Sequence, residues 1–420
     1  MRAVRRTSVL LVLGLAAVLA AGAGPASSRA SGEGTLPGIQ RLLDRRAVAM
    51  LAGDEAAFLS TIDGDGDFVA RQRLLFRGFQ QLGLAGYSLE AATHTFPELT
   101  AAREVARYGA AAEPTVLHVE ERYVIDGYDE QPALEDLFLT FVRRPGGWRI
   151  ASDTDLDDVG LLSGRKLWEL GPVVTSVSDH FLYVSHPALA ERAGDVLAGA
   201  ERALARVVDG WPLSWPQRVV IFAPSDTAEL GRIIQATFDL DAFVAFAYSG
   251  VDRGVDYDLV GHRIILNWPR YSAYPESVRE SILAHELTHV ATRELTGPEI
   301  PVFVDEGIAD WVAGDDSTFL VESLVAGGSF DSRLPDDYEF VTGDSEAIGA
   351  AYQESRVAIE YAEERYGAAA VADLYRILGG VRVAPGTWRY HADLAMHRAF
   401  GTGLVRFERG WASWVRATYG

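Results

Sequence analysis

Residues 280–295 read Glu-Ser-Ile-Leu-Ala-His-Glu-Leu-Thr-His-Val-Ala-Thr-Arg-Glu-Leu, and the two histidines four positions apart constrain the chain more than any other feature. On a helix, residues at that spacing lie one above the other on a single face. Two imidazoles so placed can occupy two corners of one tetrahedral metal site. Glu286 sits one helical step, about 100°, from His285. It is therefore placed beside the metal, where it can take a proton from a metal-bound water.

Two imidazoles do not complete a catalytic site, which needs a third protein ligand and an open fourth position. Seventeen residues after His289 stands Glu306, within Val304-Asp305-Glu306-Gly307-Ile308-Ala309-Asp310. Glu306 is the candidate third ligand, near the start of a second helix. Gly307 removes a side chain where that helix is expected to approach the first closely. Asp310, four residues beyond Glu306, shares its face. A carboxylate there can accept the remaining N–H of a metal-bound histidine and fix its tautomer.

His285-Glu286-Leu287-Thr288-His289 followed by Glu306 on a second helix resembles the gluzincin metallopeptidases. More closely, Val302-Phe303-Val304-Asp305-Glu306-Gly307-Ile308-Ala309 is similar to the W-x-x-E-G-x-A segment of the peptidase MA-like family, with Phe303 where that family usually has Trp. Ala351-Tyr352-Gln353-Glu354-Ser355, the stretch 361–367 and Phe407-Glu408-Arg409-Gly410-Trp411 also fit. The resemblance covers roughly residues 172–419 and is strongest at the histidine pair. It implies a mainly helical, thermolysin-like domain with a small sheet, and one Zn2+ held by His285, His289 and Glu306. Glu286 would be general base and Asp310 the orienting carboxylate. The substrate would be a peptide or protein, cut by zinc-assisted hydrolysis. Many gluzincins use a tyrosine downstream of the third ligand as a donor to the oxyanion. Along the expected helix 346–366, Tyr352 is the candidate. Tyr361 lies about half a turn round from it, and Tyr366 about 21 Å further along. Two other readings stay open: a catalytically inactive zinc-binding module with a peptidase-like fold, and a zinc hydrolase of a non-peptide amide such as a cell-wall fragment.

The beginning of the chain reads as an address. Arg2, Arg5 and Arg6 precede a run of apolar and small residues over 8–21, and Ala21-Gly22-Ala23 offers small residues for cleavage. That is the three-part pattern of a secretory signal peptide, 1–23. An uncleaved anchor is the rival, but the run is short for a span. A Ser/Gly-rich leader, 24–35, follows. A secreted or extracytoplasmic chain with no stable span after cleavage is expected. The net charge of −21 argues against nucleic acid or an anionic lipid surface as main partner. There is no cysteine, which excludes disulfides and thiol catalysis.

Between leader and metal motif, helical spacing is expected from residue 36 and over 68–82. Strands are expected over 116–125, 137–142 and 148–152, the last two flanking Pro145-Gly146-Gly147 as a hairpin. Two helices followed by a curved antiparallel sheet resemble the NTF2-like α+β cone, which does not name a function. The expected organisation is an α+β chain with an NTF2-like accessory domain at 36–162, a connector, and the peptidase domain at 172–420. Strands are expected at 173–183, 218–223 and 263–268, with a helix at 189–208. The Asp63-Gly64-Asp65-Gly66-Asp67 run reads as an acidic turn, since an EF-hand loop needs Glu at its twelfth position and that position is Leu74. The remaining histidines read as surface or hydrogen-bonded core residues. Trp211, Trp215, Trp411 and Trp414 read as packing residues.

Overall fold

The computed structural model describes residues 35–64, 66–95, 103–236, 240, 243–252, 258–297, 300–381 and 388–420. The expected signal peptide and all but the last residue of the leader lie outside the described residues. The first lobe begins with α1 (Thr35–Leu51), the short α2 (Glu55–Leu59) and α3 (Gly66–Leu82). Asp54 caps α2 by accepting from the Ala57 amide. Helix α1 turns Ile39, Leu42, Leu43 and Met50 inward, and α3 turns Phe68, Leu75, Phe76 and Phe79 inward, the one-sided stripe of a helix laid on a sheet. The acidic turn joins α2 to α3, with Asp63 paired to Arg144; Asp65 lies outside the described residues.

The sheet beneath is an antiparallel meander of β1 (Leu84–Thr95), β2 (Thr115–Ile125), β3 (Ala133–Arg144) and β4 (Gly147–Ser152). The β3–β4 hairpin turns through Gly146 and Gly147, both at positive φ, which costs a glycine little. Strand β1 was not foreseen, although Tyr87 and Leu89 alternate inward along it.

The second lobe holds a mixed sheet in the order β5-β6-β7-β9-β8. Its strands are β5 (Val174–Val177), β6 (Phe181–Ser185), β7 (Val219–Ala223), β8 (Ala245–Asp252) and β9 (Asp258–Leu266). One strand was expected over 173–183. The chain instead turns at Ser178, whose amide bonds the Phe181 carbonyl, and makes the β5–β6 hairpin. Strands β6, β7 and β9 run parallel. Every residue of β6 and β7 is buried, as expected for inner strands covered on both faces. Strand β8, also unforeseen, pairs antiparallel with β9 and forms an edge.

The principal remaining helices are α4 (Leu167–Leu170) between the lobes, α5 (Ala193–Gly210), α6 (Glu276–Thr292), α7 (Val302–Ala313), α8 (Phe319–Gly327), α9 (Ser345–Tyr366), α10 (Ala368–Gly379), α11 (Trp388–Phe400) and α12 (Leu404–Tyr419), beside short helical turns at Arg103–Tyr108, Thr227–Ile233 and Trp268–Tyr271. The chain is thus of mixed helix and strand, compatible with the α+β class. Among the described residues no helix is long and apolar enough to cross a membrane. Hydrophobic packing runs from one lobe to the other through Trp168 of α4. Its ring meets Phe79 and Tyr123 of the first lobe and Phe222 of β7, at centroid distances of 5.1, 6.2 and 5.8 Å.

Candidate metal centre

Helix α6 carries the two histidines. It enters from Pro275 with Glu276 in its first turn, where a negative charge suits the helix dipole. Every residue from Ile282 to Thr292 is buried, because α5, α7 and the β8–β9 hairpin surround this half of the helix. A helix hydrophobic on one face was expected; here the polar residues are inside as well. Thr288 satisfies its hydroxyl on the Ala284 carbonyl at 2.8 Å.

Helix α7 brings Glu306 to the histidines. His285, His289 and Glu306 form a buried group that could hold a metal ion. His285 Nε2 lies 3.1 Å from His289 Nε2. Glu306 Oε2 lies 3.3 Å from the first nitrogen and 3.6 Å from the second. Tetrahedral zinc with bonds of about 2.0–2.1 Å sets its ligand atoms roughly 3.3–3.4 Å apart, so the triangle has the size of one face of such a tetrahedron. Gly307 makes the approach of α7 possible, but toward α9 rather than toward α6 as expected: a Cβ there would come within 2.7 Å of the Ser355 carbonyl oxygen.

The outer nitrogens are held by carboxylates. Asp310 Oδ1 bonds His285 Nδ1 at 2.7 Å, and Asp305 Oδ1 stands 3.4 Å from His289 Nδ1. Asp305 in turn accepts from the Tyr375 hydroxyl at 2.7 Å, and that hydroxyl meets Thr296 Oγ1 at 2.8 Å. A carboxylate at Nδ1 favours the tautomer with its lone pair on Nε2. Two such lone pairs 3.1 Å apart, with a carboxylate oxygen completing the triangle, repel one another unless a cation or a proton lies among them. Without a metal, protons take that role. Burial lowers the pKa of both imidazoles, but the surrounding carboxylates outweigh it. Asp310 and Glu306 hold His285 well above its ordinary range, and Asp305 and Glu306 push His289 up to about 9. Asp305 is correspondingly lowered: burial opposes this, and His289 overcomes it.

Glu286 is 0% exposed, and neither of its oxygens finds a hydrogen-bond partner among the described residues. Burial raises its pKa, against the two neighbouring histidines. Tyr352, on α9, is buried with its ring 5.1 Å from Phe340. Its hydroxyl also lacks a partner. Burial raises its pKa, and Glu306, Asp310, Glu286 and Asp305 add to the effect, which sets the phenol among the carboxylates of the centre. Unpaired buried polar atoms are uncommon in folded proteins. Their convergence here suits a site that receives a ligand.

The structure therefore brings together His285, His289, Glu306, Asp310, Glu286 and Tyr352. It adds Asp305 and Tyr375, to which the sequence reading gave no role. Asp305 carried a signal, since it stands directly before Glu306. Tyr375, seventy positions further on, carried none. His262 takes no part in the centre. Its ring bonds Ser249 Oγ at 2.9 Å, and burial, with Arg293 and Arg263 nearby, pushes its pKa down to about 3. His118 and His180 pair with Asp136 and Glu201, away from the centre; the side chain of His94 lies outside the described residues. Neither the protein-family models nor the curated proteins compared with the chain match it.

Proposed function

We propose that this is an exported zinc-dependent peptidase of the gluzincin kind, with His285, His289 and Glu306 as ligands. The observation that carries the reading is the buried triangle of two histidine Nε2 atoms and one glutamate oxygen, at 3.1, 3.3 and 3.6 Å. The donor set is two imidazoles and a carboxylate, the composition of a catalytic rather than a structural zinc site. A first lobe of helices on an antiparallel meander supports an NTF2-like accessory domain. A mixed sheet whose edge strand lies beside the histidine helix supports a gluzincin-like second lobe.

Zinc, when bound, supplies a Lewis acid that polarises a carbonyl and lowers the pKa of a coordinated water to near neutrality. The chain's own residues supply the rest. Glu286, without another partner, accepts a proton from the attacking water and passes it to the leaving amine. The Tyr352 hydroxyl, also unpaired, donates to the carbonyl oxygen as charge builds on it. Asp310 and Asp305 hold the two imidazoles in the tautomer that leaves Nε2 free.

One observation favours a second reading. His285, Glu286, His289, Glu306 and Tyr352 are all at most 4% exposed, which suits a module that holds zinc without turnover. Digestion of a peptide library by the mature chain, beside Glu286→Gln, separates the two. Cleavage by the wild type that falls by about 10²–10⁴ in the variant, with zinc retained, supports the peptidase. Bound zinc with no cleavage of any peptide favours the binding module, and cleavage of cell-wall amides alone would shift the substrate class.

A further inference from the structure

The β8–β9 hairpin touches both the first lobe and α6, and its edge strand β8 makes more of both contacts than β9 does. Its first-lobe side is unusually close. A Cβ on Gly250 would lie 2.3 Å from the Leu134 carbonyl oxygen of β3, and one on Gly261 of β9 would lie 2.4 Å from the Ala133 Cβ. Two glycines in neighbouring strands thus let β3 seat directly against the β8–β9 hairpin. Ion pairs fasten the seat. Arg263 of β9 reaches Asp129 in a two-pronged pair with both side chains 2% exposed, Nη2 to Oδ2 at 2.7 Å. Arg122 of β2 meets Asp252 at the end of β8 at 2.8 Å.

From the opposite side, Arg293 reaches β8. It stands four residues after His289, at the C-terminal end of α6, and is 3% exposed. Its Nη2 donates to the Ala247 carbonyl of β8 at 3.0 Å. That backbone oxygen is its one hydrogen-bond partner among the described residues, and its Nε is unpaired. The charge is matched through space instead: Arg293 acts electrostatically on Asp305 and on Glu286. A buried guanidinium is costly unless its geometry is held, and among the described residues the hydrogen bond that holds this one comes from β8.

We propose that Arg293 is a positioning residue through which the first lobe sets the metal centre. The β3 seat fixes β8, β8 fixes Arg293, and Arg293 fixes the last turn of α6, four residues beyond His289. This rests on the zinc reading for its consequence, but not for its mechanism, since every contact in the chain of contacts exists without metal.

The test is a double-mutant cycle with two readouts on the full chain. Gly250→Ala forces β8 off β3, Arg293→Met cuts the second link, and the third variant carries both. Each single change should weaken zinc binding, measured by competition with a chromogenic chelator, by about 10-fold, the lower end expected for loss of support behind a ligand. The double variant should be little worse than either, because the two act in series. Arg293→Lys, which keeps the charge and one donor, should recover part of the loss. In metal-free protein, amide hydrogen exchange over residues 289–296 should quicken in both single variants. Should Gly250→Ala not fold, Arg122→Leu releases β8 more gently and takes its place. Unchanged zinc affinity in the Gly250 or Arg122 variant, or losses that multiply in the double variant, would overturn the proposal. A wild type that binds no zinc would sink the metal reading alone, and the exchange rates would then decide: unchanged rates end the positioning role as well.

Discussion

In the first lobe the buried Lys166 ammonium lies between Glu121 and Glu169, whereas in the second lobe the buried carboxylate of Glu286 has no partner among the described residues. Burial alone would lower the Lys166 pKa; Glu121, Glu169 and Glu135 reverse that and hold it charged. Glu121 also accepts from the Tyr87 hydroxyl at 2.5 Å. The space beside this network, lined by Arg46, Gln72, Tyr87 and Glu121, amounts to about 20 Å³, enough for a water and not for a ligand. At the candidate metal centre the sense is opposite. Lone pairs converge, and Glu286 and Tyr352 keep polar atoms unpaired. A charge network that is complete without a ligand holds a fold together. One that leaves buried polar atoms unpaired is fit to receive a ligand.

The largest effect that tests this contrast is on stability. Lys166→Met leaves Glu121 without its buried cation and Glu169 with Arg165 alone, and breaking a buried pair costs about 3–5 kcal/mol. Urea denaturation should show that loss. Glu286→Gln should leave stability unchanged or raise it, since it removes a buried carboxylate that accepts no hydrogen bond among the described residues. If the two variants lose stability equally, the contrast between the lobes fails.

A smaller effect separates the two carboxylates behind the histidines. Asp310→Ala and Asp305→Ala should each weaken zinc binding by roughly 10–100-fold without abolishing it. Asp310 makes the shorter contact, 2.7 Å against 3.4 Å, so its loss should be the greater. Equal affinity in Asp310→Ala and wild type would show that its bond to His285 does not support the metal.

The smallest effect belongs to the seam between the lobes. Glu135 of β3 receives the Tyr248 hydroxyl of β8 at 3.5 Å. Burial pushes its pKa up to about 7, against the pull of Lys166 and helped by Glu121, Glu169 and Asp136. A carboxyl whose pKa is raised by folding contributes stability that is full below about 4.5 and is lost as the pH rises through about 7. Melting temperatures of wild type and Glu135→Gln, compared between pH 4.5 and 8, should therefore converge or cross as the wild type loses its advantage. A constant difference across that range would mean that Glu135 does not titrate there.

How far these features could be read from the chain depends on how local they are. His285, Glu286 and His289 are one helical turn, and Asp310 follows Glu306 by one turn, so spacing alone placed them together. The helices at 68–82 and 189–208 showed themselves by their stripe of apolar residues. Strand β1 was hidden because Gly86 and the small residues Ala85, Ser88 and Ala91 dilute its alternation. Strand β8, Ala-Phe-Ala-Tyr-Ser-Gly-Val-Asp, reads no better. Its meaning lies in partners far along the chain: Gly250 needs Leu134, Tyr248 needs Glu135, and Ala247 needs Arg293. Gly307 was legible as a close approach, but which helix it approached depended on where α9 packs. No spacing in the sequence carries Tyr375 to Asp305.

The most direct measurement is a zinc titration of the purified chain beside Glu306→Ala and His285→Ala, read by metal analysis after dialysis. The account predicts about one zinc per wild-type molecule and almost none in either variant, with all three chains folded. Full occupancy in Glu306→Ala, or a folded wild type that takes up no zinc, would contradict it.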